Sequence, residues 1–476
     1  MRRPNILVLY TDQQRWDALH AAGNPEILTP NLDRFAAAGT RFSHHFVQNP
    51  VCMPSRASFL SGQYPETLGI SHMGVPLPQD IRLLPGYLTP YGYRTANIGK
   101  LHALPHANRD HRQPHPPYGF DHLEISDEPG PYEDAYRAWV RAIAPEHLDT
   151  ISLGLPPSAA VWQRTMGVLD DVAHPEERFP KRAVPFPAPE HLTHTAFVSD
   201  RTRAFISQQG ENPWLCIAGF YSPHSPWIVP QRYLDRYDPA SLTLPPEEAR
   251  RPFGGGESNR DSLDVASSDD ELRSAIHGYY AMVSEVDDHV GRILGVLDAR
   301  GMTDDTMVIF TSDHGEWLGK YGRYGKGHPA DDAVSRVPLL IRLPGADRSQ
   351  IPVVDTIVEA VDVLPTILEA AAIPVPPALQ GQSLLPLLSG DPGATRSRTD
   401  SALTEHRGWK SLRTRTHRYG IAASGAEHFF DLDTDPGETH DLSDDPGSGG
   451  ALAAHRHLLL RRLIGRERPR PRTWTY

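Results

Sequence analysis

Short apolar runs that alternate with helical patterns are the feature that most restricts the fold of this chain. The runs are β-branched and almost continuously apolar, which is typical of parallel strands covered by helices on both faces. The predicted strands are Asn5–Tyr10, Arg94–Ile98, Pro213–Phe220, Thr306–Thr311 and Pro338–Arg342, and the predicted helices are Pro30–Ala38, Pro54–Ser61, Thr193–Gln208, Glu271–Ala299 and Ile357–Ala371. The sequence therefore predicts an α/β fold with a large, mostly parallel central sheet flanked by helices.

The pattern changes from about Arg396 onward, where the apolar runs become shorter. Predicted antiparallel strands are Trp409–Arg413, Tyr419–Ala422 and His428–Asp431, followed by a closing helix over Leu452–Leu463. We therefore predict a large α/β domain over residues 1–395 and a small C-terminal α+β subdomain over residues 396–476. Residues 102–192 and 252–270 are rich in loop-forming residues and are predicted as loops.

Composition narrows the range of partners and compartments. The net charge of −12 argues against nucleic acid or an anionic membrane as the main partner, so any anion site has to be locally basic. Cys52 and Cys216 are the only cysteines, which excludes a disulfide framework and favours a reducing compartment. The run Asn5–Tyr10 is too short for a signal peptide, and no run approaches the ~20 apolar residues of a membrane helix. We expect a cytoplasmic protein.

Polar residues follow three of the predicted strands where each strand ends. In open α/β sheets, ligands bind beyond the carboxyl ends of the strands. The three segments are Thr11-Asp12-Gln13, Tyr221-Ser222-Pro223-His224 and Ser312-Asp313-His314-Gly315. Asp12 and Asp313 would repel each other there unless a cation lay between them, and oxygen ligands select calcium, magnesium or manganese. The alternative is that each aspartate caps a following helix or turn.

Two further motifs carry reactive or basic side chains. In Cys52-Met53-Pro54-Ser55-Arg56 a proline lies two residues after the cysteine and an arginine four residues after it. The alternative interpretation is a buried cysteine before a helix whose surface carries Arg56. In Gly99-Lys100-Leu101-His102, the two polar side chains alternate on a predicted extended segment, so both can face one side. Cys216 lies in a predicted core strand and is expected to be inert.

Together these motifs resemble the type I sulfatases, which are formylglycine-dependent enzymes of the alkaline phosphatase superfamily. The resemblance runs from end to end of the chain, with the motifs in the order of the family. The matching segments are Asn5–Arg15, Thr29–Gly39, Cys52–Gly62, Gly92–His102, Pro223–Pro226, Asp287–Gly291, Thr311–Gly319, Lys326, Val337–Pro344 and Phe430–Glu438.

The resemblance implies a sulfuric ester hydrolase that requires a formylglycine-generating enzyme for its maturation. Cys52 would be oxidised to formylglycine, whose hydrate attacks sulfur, and Arg56 would hold the resulting diol. Lys100 and Lys326 would bind sulfate oxygens. His102 would accept the proton whose loss expels sulfate, and His224 would lie near the leaving-group oxygen.

The resemblance also implies a metal site, for which calcium is expected and manganese or magnesium are alternatives. The implied ligands are Asp12, Gln13, the modified Cys52, Asp313 and His314. Many sulfatases have a second aspartate where this chain has Gln13, so the site is less negative and the identity of the metal stays open.

Two alternatives remain at the level of sequence. One is a phosphonate monoester or phosphodiester hydrolase on the same scaffold, although Lys100 favours a sulfatase because that branch lacks it. The other is an unmodified homologue that binds metal and anion. The substrate is expected to be a small-molecule or carbohydrate sulfate ester, with a sulfated sugar favoured by a basic loop, although that loop is also interpretable as a solvated one. The loop contains His106, Arg109, His111, Arg112 and His115. The natural ester and the oligomeric state, a homo-oligomer included, stay open.

Overall fold

A computed structural model gives the fold of most of the chain. It describes residues 3–105, 109–111, 113–154, 182–251, 262–264, 268–328, 330–345, 352–391, 393–394, 398 and 400–466. His106 and Arg112 of the predicted basic loop, and much of the two predicted loop stretches, lie outside the described residues. Among the described helices, none is long and apolar enough to cross a membrane.

An eight-stranded mixed sheet forms the centre of the molecule. The sixteen described strands are β1 Asn5–Thr11, β2 Thr40–Phe46, β3 Arg94–Gly99, β4 His122–Ile125, β5 Val184–Pro185, β6 Trp214–Gly219, β7 Ile228–Val229, β8 Ser262–Asp264, β9 Thr306–Ser312, β10 Arg323–Gly325, β11 Leu339–Arg342, β12 Val353–Glu359, β13 Ser401–His406, β14 Trp409–Thr414, β15 His417–Ala422 and β16 Glu427–Asp431. The order in the central sheet is β12-β2-β11-β9-β1-β6-β3-β4. Only β11, among these eight, runs antiparallel to its neighbours β2 and β9, which confirms the predicted, mostly parallel sheet.

Helices cover both faces of this sheet. The described α-helices are α1 Pro30–Ala37, α2 Cys52–Ser61, α3 Pro65–Leu68, α4 Leu84–Leu88, α5 Ala135–Ile143, α6 His194–Ser207, α7 Gln231–Leu234, α8 Asp269–Ala299, α9 Asp332–Ser335, α10 Val363–Ala370, α11 Leu385–Leu388 and α12 Gly449–Ile464. Successive side chains of β1 point to opposite faces of the sheet. Ile6 and Val8 pack with α2 and α10 on one face, whereas Leu7 and Leu9 pack with α1, α6 and α8 on the other.

The predicted helix Ile357–Ala371 is wrong in its first half. Val353–Glu359 is strand β12, which pairs in parallel with β2, and the helix α10 begins only at Val363. The residues Val353, Val354, Ile357 and Val358 are β-branched and favour an extended chain. The prediction failed because a short apolar run does not distinguish a helix from a strand. Strand β2 was not predicted, because polar residues such as Arg41 and His44 interrupt the alternation of apolar and polar residues that is typical of a strand.

The C-terminal residues form a separate four-stranded antiparallel sheet in the order β13-β14-β15-β16, closed by α12. The three predicted strands and the predicted helix are present, and β13 is added at the edge. The apolar side chains of this sheet pack against α12 through residues such as Leu412, Phe429 and Leu459. The domain boundary between residues 395 and 396 stays a prediction.

Candidate active site

The carboxyl ends of four adjacent parallel strands meet at one edge of the central sheet. In the order β9, β1, β6 and β3, they are followed by Asp313, Asp12, His224 and Lys100. Two glycines allow this convergence, because a Cβ atom on Gly99 would overlap the Gly219 carbonyl, and one on Gly219 would overlap the backbone of Lys100. The predicted convergence of three strand ends is therefore present, and Lys100 joins it from a fourth.

Four buried side chains present donor atoms to one another at this edge. One atom each of Asp12, Cys52, Asp313 and His314 lies within 4.8 Å of the other three, a grouping that can hold a metal ion. The His314 Nε2 lies 3.6 Å from Asp12 Oδ1 and 3.7 Å from Asp313 Oδ1. The Nδ1–H of His314 donates to the Gly315 carbonyl over 2.8 Å, which leaves the Nε2 lone pair facing the carboxylates.

Arg56 holds the outer oxygens of both carboxylates. Its Nε donates to Asp313 Oδ2 over 2.7 Å and its NH2 group to Asp12 Oδ2 over 3.3 Å, while NH1 donates to the Lys100 carbonyl. Lys100 adds a second cation, with its Nζ 2.7 Å from Asp12 Oδ2. Although burial raises the pKa of Asp12, the cations around it, Lys100 foremost, hold that pKa well below its ordinary value. Asp12 therefore stays ionised, and the Oδ1 atoms of Asp12 and Asp313 face His314 rather than Arg56.

Cys52 lies at the first position of α2, whose ten residues are all buried. Its Sγ is 3.2 Å from His314 Nε2 and 2.6 Å from Lys326 Nζ. Burial raises the pKa of the Cys52 thiol to about 11, with Asp12 adding to the effect. An unmodified thiol is therefore protonated at neutral pH, and a protonated thiol is a poor nucleophile.

His224 and Lys326 form a second group of side chains around Cys52. Lys326 Nζ is 3.0 Å from His224 Nε2, and the Nδ1–H of His224 donates to the Ser225 carbonyl over 2.6 Å. Burial, together with Lys326, lowers the pKa of His224 well below its ordinary value. Burial alone would also lower the pKa of Lys326, but Cys52 and Asp12 raise it, so this lysine stays charged. This side of the site is locally basic in an acidic protein.

Gln13 and His102 differ from the other predicted site residues in their backbone geometry. Gln13 has a φ of 67° and His102 a φ of 52°, both in the left-handed region. The predicted extended segment therefore ends at Gly99, and strand alternation does not set the direction of His102. The His102 N–H donates to Asp127 Oδ1 over 2.7 Å, and its side chain lines a small pocket together with Met53 and Arg56.

The described residues of the basic loop contact other parts of the protein instead of extending into solvent. His111 is buried and stacks on Tyr132 with 3.8 Å between ring centres. Arg109 pairs with Asp127 over 3.5 Å, and the His115 Nδ1–H donates to the Pro116 carbonyl. Because Asp127 also binds the N–H groups of Leu101 and His102, this loop is tied to the backbone beside the site.

Asp127 and Glu316 were not predicted as site residues. Asp127 follows strand β4, so the strand-end rule applies to it, but β4 itself was missed. Glu316 directly extends the motif Ser312–Gly315 and is fully buried, and it accepts a hydrogen bond from the side-chain amide of Gln13. Cys216 is buried in β6, apart from the site, as predicted.

Known protein families match most of this chain. A family model described as Sulfatase matches residues 4–373, and one described as N-sulphoglucosamine sulphohydrolase, C-terminal, matches residues 319–462. An ulvan-active sulfatase of Formosa agariphila is 29% identical over 460 residues, which cover 93% of this chain and 78% of that protein.

Two solved structures share the fold over nearly the whole chain. The phosphonate monoester hydrolase of Agrobacterium radiobacter superposes with a TM-score of 0.78 at 24% identity, covering 98% of this chain and 96% of that one. A second structure, described as a complex with its substrate D-glucosamine-2-N,6-O-disulfate, has a TM-score of 0.76 at 21% identity, with 98% of each chain covered. At these sequence identities, the two structures establish a shared fold and nothing more.

Proposed function

This chain belongs to the sulfatase family, whose model spans residues 4–373, and from that premise we propose that it hydrolyses a carbohydrate sulfate ester with a formylglycine made from Cys52. The observation that carries the proposal is the grouping of Cys52 with two carboxylates, two lysines and a histidine at one sheet edge. A nucleophile, a cation site and fixed positive charges are what sulfate transfer requires.

Modification of Cys52 is supported by its surroundings. The thiol is buried, its pKa is raised to about 11, and the carboxylate of Asp12 lies on one side of it. These conditions suppress the thiolate, so Cys52 is a weak nucleophile unless its chemistry changes. Formylglycine supplies a hydrated aldehyde, one hydroxyl of which attacks sulfur while the other allows sulfate to leave. Arg56, one helical turn further along α2, would hold that diol.

The other side chains are assigned by where they lie around Cys52. Lys100 and Lys326 would hold sulfate oxygens, because both are cations within the same buried edge as Cys52. His224 would serve the leaving-group oxygen, because it lies against Lys326 beside Cys52, and its lowered pKa keeps the ring neutral in the free protein. His102 would accept the proton whose loss releases sulfate.

A divalent cation fits the donor set. Asp12, Asp313 and His314 each offer an atom without steric rearrangement, and Gln13 offers an oxygen that is buried and has no hydrogen-bond partner among the described residues. Oxygen-rich sites select hard cations, and we propose calcium, with manganese or magnesium as alternatives. When bound, the cation supplies Lewis-acid polarisation of the sulfate and of the nucleophile.

A carbohydrate ester is proposed on two grounds. The ulvan-active sulfatase and the structure holding a glucosamine disulfate are both related to this chain in sequence or fold. In addition, Arg109 pairs with Asp127, which binds the N–H group of His102, so a basic side chain is held beside the site. A cytoplasmic location and the formylglycine-generating enzyme as a maturation partner remain predictions.

A phosphorus ester is the second candidate, and the observation that favours it is the superposition of the fold on a phosphonate monoester hydrolase. The pair Asp12-Gln13 is found in sulfatases as well as in that branch, so it does not separate the two candidates. Lys100, which that branch lacks, argues for sulfate instead, since its Nζ pairs with Asp12 inside the site.

Initial rates on three esters test the proposed function. We expect 4-nitrophenyl sulfate to be cleaved faster than 4-nitrophenyl phosphonate or phosphate esters by protein co-expressed with a formylglycine-generating enzyme. Mass analysis of the tryptic peptide around Cys52 should show loss of sulfur and gain of oxygen. The Cys52→Ala variant should lose at least the ~10³-fold that removal of a nucleophile costs.

The matched control is Cys216→Ala, which removes the other buried cysteine and should leave both the rate and the Cys52 peptide unchanged. Faster cleavage of the phosphorus esters would move the assignment to the second candidate. An unmodified peptide in protein matured with the enzyme would contradict the formylglycine proposal.

A further inference from the structure

Gln13 is held by hydrogen bonds at every polar group of its backbone. Its N–H donates to Asp313 Oδ1 over 3.1 Å, and its carbonyl accepts from the Tyr279 hydroxyl over 2.8 Å. With a φ of 67°, it occupies a conformation that a residue other than glycine adopts only when its surroundings enforce it. The backbone of Gln13 is therefore fixed at the strand end from which its side chain extends.

The side-chain amide of Gln13 meets the carboxyl group of Glu316. Nε2 of Gln13 donates to Oε2 of Glu316, and both residues are buried to within 1% of full burial. A carboxyl oxygen that accepts a hydrogen bond selects the NH2 end of an amide, so the Oε1 of Gln13 must face away from Glu316. That Oε1 is buried and has no hydrogen-bond partner among the described residues. A buried oxygen without a hydrogen bond is able to bind a cation.

The second carboxyl oxygen of Glu316 accepts hydrogen bonds from the backbone that leads to Lys326. Its Oε1 accepts from the N–H of Leu318 over 3.1 Å and from the N–H of Gly325. Gly325 immediately precedes Lys326, whose Nζ is 2.6 Å from Cys52 Sγ. One buried carboxyl group thus contacts both the predicted metal side and the predicted sulfate side of the site.

We propose that Glu316 is a positioning residue that turns the Gln13 oxygen toward the divalent cation and fixes the backbone before Lys326. The inference rests on the proposed function, because it presupposes a cation at Asp12 and Asp313. It also accounts for glutamine at position 13: an aspartate there would set a second carboxylate against Glu316, whereas an amide completes a hydrogen bond with it.

Calcium titration calorimetry tests this role independently of turnover. In Glu316→Gln the new NH2 group must face either the Gln13 amide or the N–H groups of Leu318 and Gly325, so donors oppose each other. We expect the calcium Kd to rise about 10- to 100-fold, as it does when the partner of a metal ligand is removed. The double variant Gln13→Glu with Glu316→Gln restores a carboxylate–amide pair and should recover most of that loss.

A buried carboxyl group elsewhere supplies the matched control. Glu285 is buried in α8 and accepts from the Thr193 hydroxyl over 2.6 Å, so Glu285→Gln makes the same chemical change away from the site. It should leave the calcium Kd unchanged. If Glu316→Gln fails to fold, Glu316→Asp, which keeps a carboxylate but withdraws it from Gln13, should show the weaker calcium binding.

Three results would overturn the inference, and one would implicate its premise instead. A wild-type calcium Kd in the folded Glu316 variants would overturn it, as would an equal loss in Glu285→Gln. So would a further loss when Glu316→Gln is added to Gln13→Ala, because a residue that acts through Gln13 has no effect once Gln13 is absent. If the wild-type protein itself binds no calcium, the proposed metal fails rather than the role of Glu316.

Discussion

At the scale of single residues, Arg56 is what makes the candidate site stable before any cation or substrate binds. It is 2% exposed and contacts both buried carboxylates, and its guanidinium group lies 4.7 Å from the ring centre of Tyr10. Two carboxylates at neighbouring strand ends would otherwise repel each other in a medium of low dielectric constant. Arg56 therefore supports the fold of the site as well as its proposed chemistry.

Removal of Arg56 should destabilise the protein, and calcium should offset part of that loss. We expect Arg56→Ala to lower the free energy of unfolding by about 3 to 5 kcal/mol, because it leaves Asp313 buried without its arginine partner and Asp12 paired with Lys100 alone. Urea unfolding with and without calcium measures both effects, since a divalent cation can replace the missing positive charge.

Arg456→Ala is the control for Arg56, because Arg456 pairs with Glu427 at the protein surface. Its loss should change unfolding far less than the loss of Arg56, since exposed ion pairs contribute little. Equal destabilisation by the two variants would contradict the structural role of Arg56.

At the scale of secondary structure, the contact between the ends of β3 and β6 places Lys100. The strands pair in parallel up to Gly99 and Gly219, and the Lys100 N–H donates to the Gly219 carbonyl over 2.8 Å. A side chain on either glycine would overlap the backbone of the other strand end. The spacing of these two strands therefore depends on both residues lacking a Cβ.

Gly219→Ala should weaken the proposed reaction while the protein stays folded. The added Cβ would push the backbone of Lys100 away from β6, and a misplacement of about 1 Å can cost ~10²-fold in rate. The ratio kcat/KM on 4-nitrophenyl sulfate is the measurement.

Gly295→Ala provides the comparison for Gly219→Ala. Gly295 lies exposed in α8, and a Cβ there would meet nothing within 4 Å. This variant should keep full activity and gain about 0.5 to 1 kcal/mol of stability. Unchanged activity in Gly219→Ala would show that the strand contact does not control Lys100.

Several residues of the candidate site could be predicted because the strands that they follow could be predicted. Asp12, Asp313 and His224 follow strands whose apolar runs are continuous, so their convergence follows from the architecture alone. Glu316 and Asp127 were missed for different reasons. Asp127 follows β4, a partly exposed edge strand with a weak pattern, and the partner of Glu316 is 303 residues away along the chain, a distance at which local pattern gives no information.

At the scale of the whole molecule, the C-terminal sheet contacts the segment that follows Lys326. Arg418 of β15 is buried and pairs with Glu438 over 2.9 Å, and it also contacts Asp332 and the Ala330 carbonyl. The C-terminal family match likewise begins at residue 319, before this segment, and continues to residue 462. Arg418 therefore joins the predicted subdomain to the large domain through Asp332 and Ala330, a few residues after Lys326.

Ionisation of Glu285 should lower the free energy of unfolding as the pH rises from about 4.5 to about 7. Burial raises the pKa of Glu285 to about 7 from an ordinary value of 4.5. Between these two values the folded state keeps a proton that the unfolded state releases, so unfolding becomes easier with rising pH. The full effect, about 3 kcal/mol, is present above pH 7 and absent below the unfolded pKa.

Glu285→Gln tests this pH dependence because the amide cannot ionise and still accepts from the Thr193 hydroxyl. In urea unfolding between pH 5 and pH 8, the variant should gain stability relative to the wild type as the pH rises, by up to about 3 kcal/mol. The variant should also be the more stable protein at pH 8. Burial likewise raises the pKa of Asp134 to about 7 and lowers the pKa of His45 to about 4. Both proteins keep these groups, so the difference between the two profiles isolates Glu285. Parallel profiles for the two proteins would mean that Glu285 keeps an ordinary pKa in the folded state. The Glu285 carboxylate would then be charged at neutral pH within the buried contact between α8 and the start of α6.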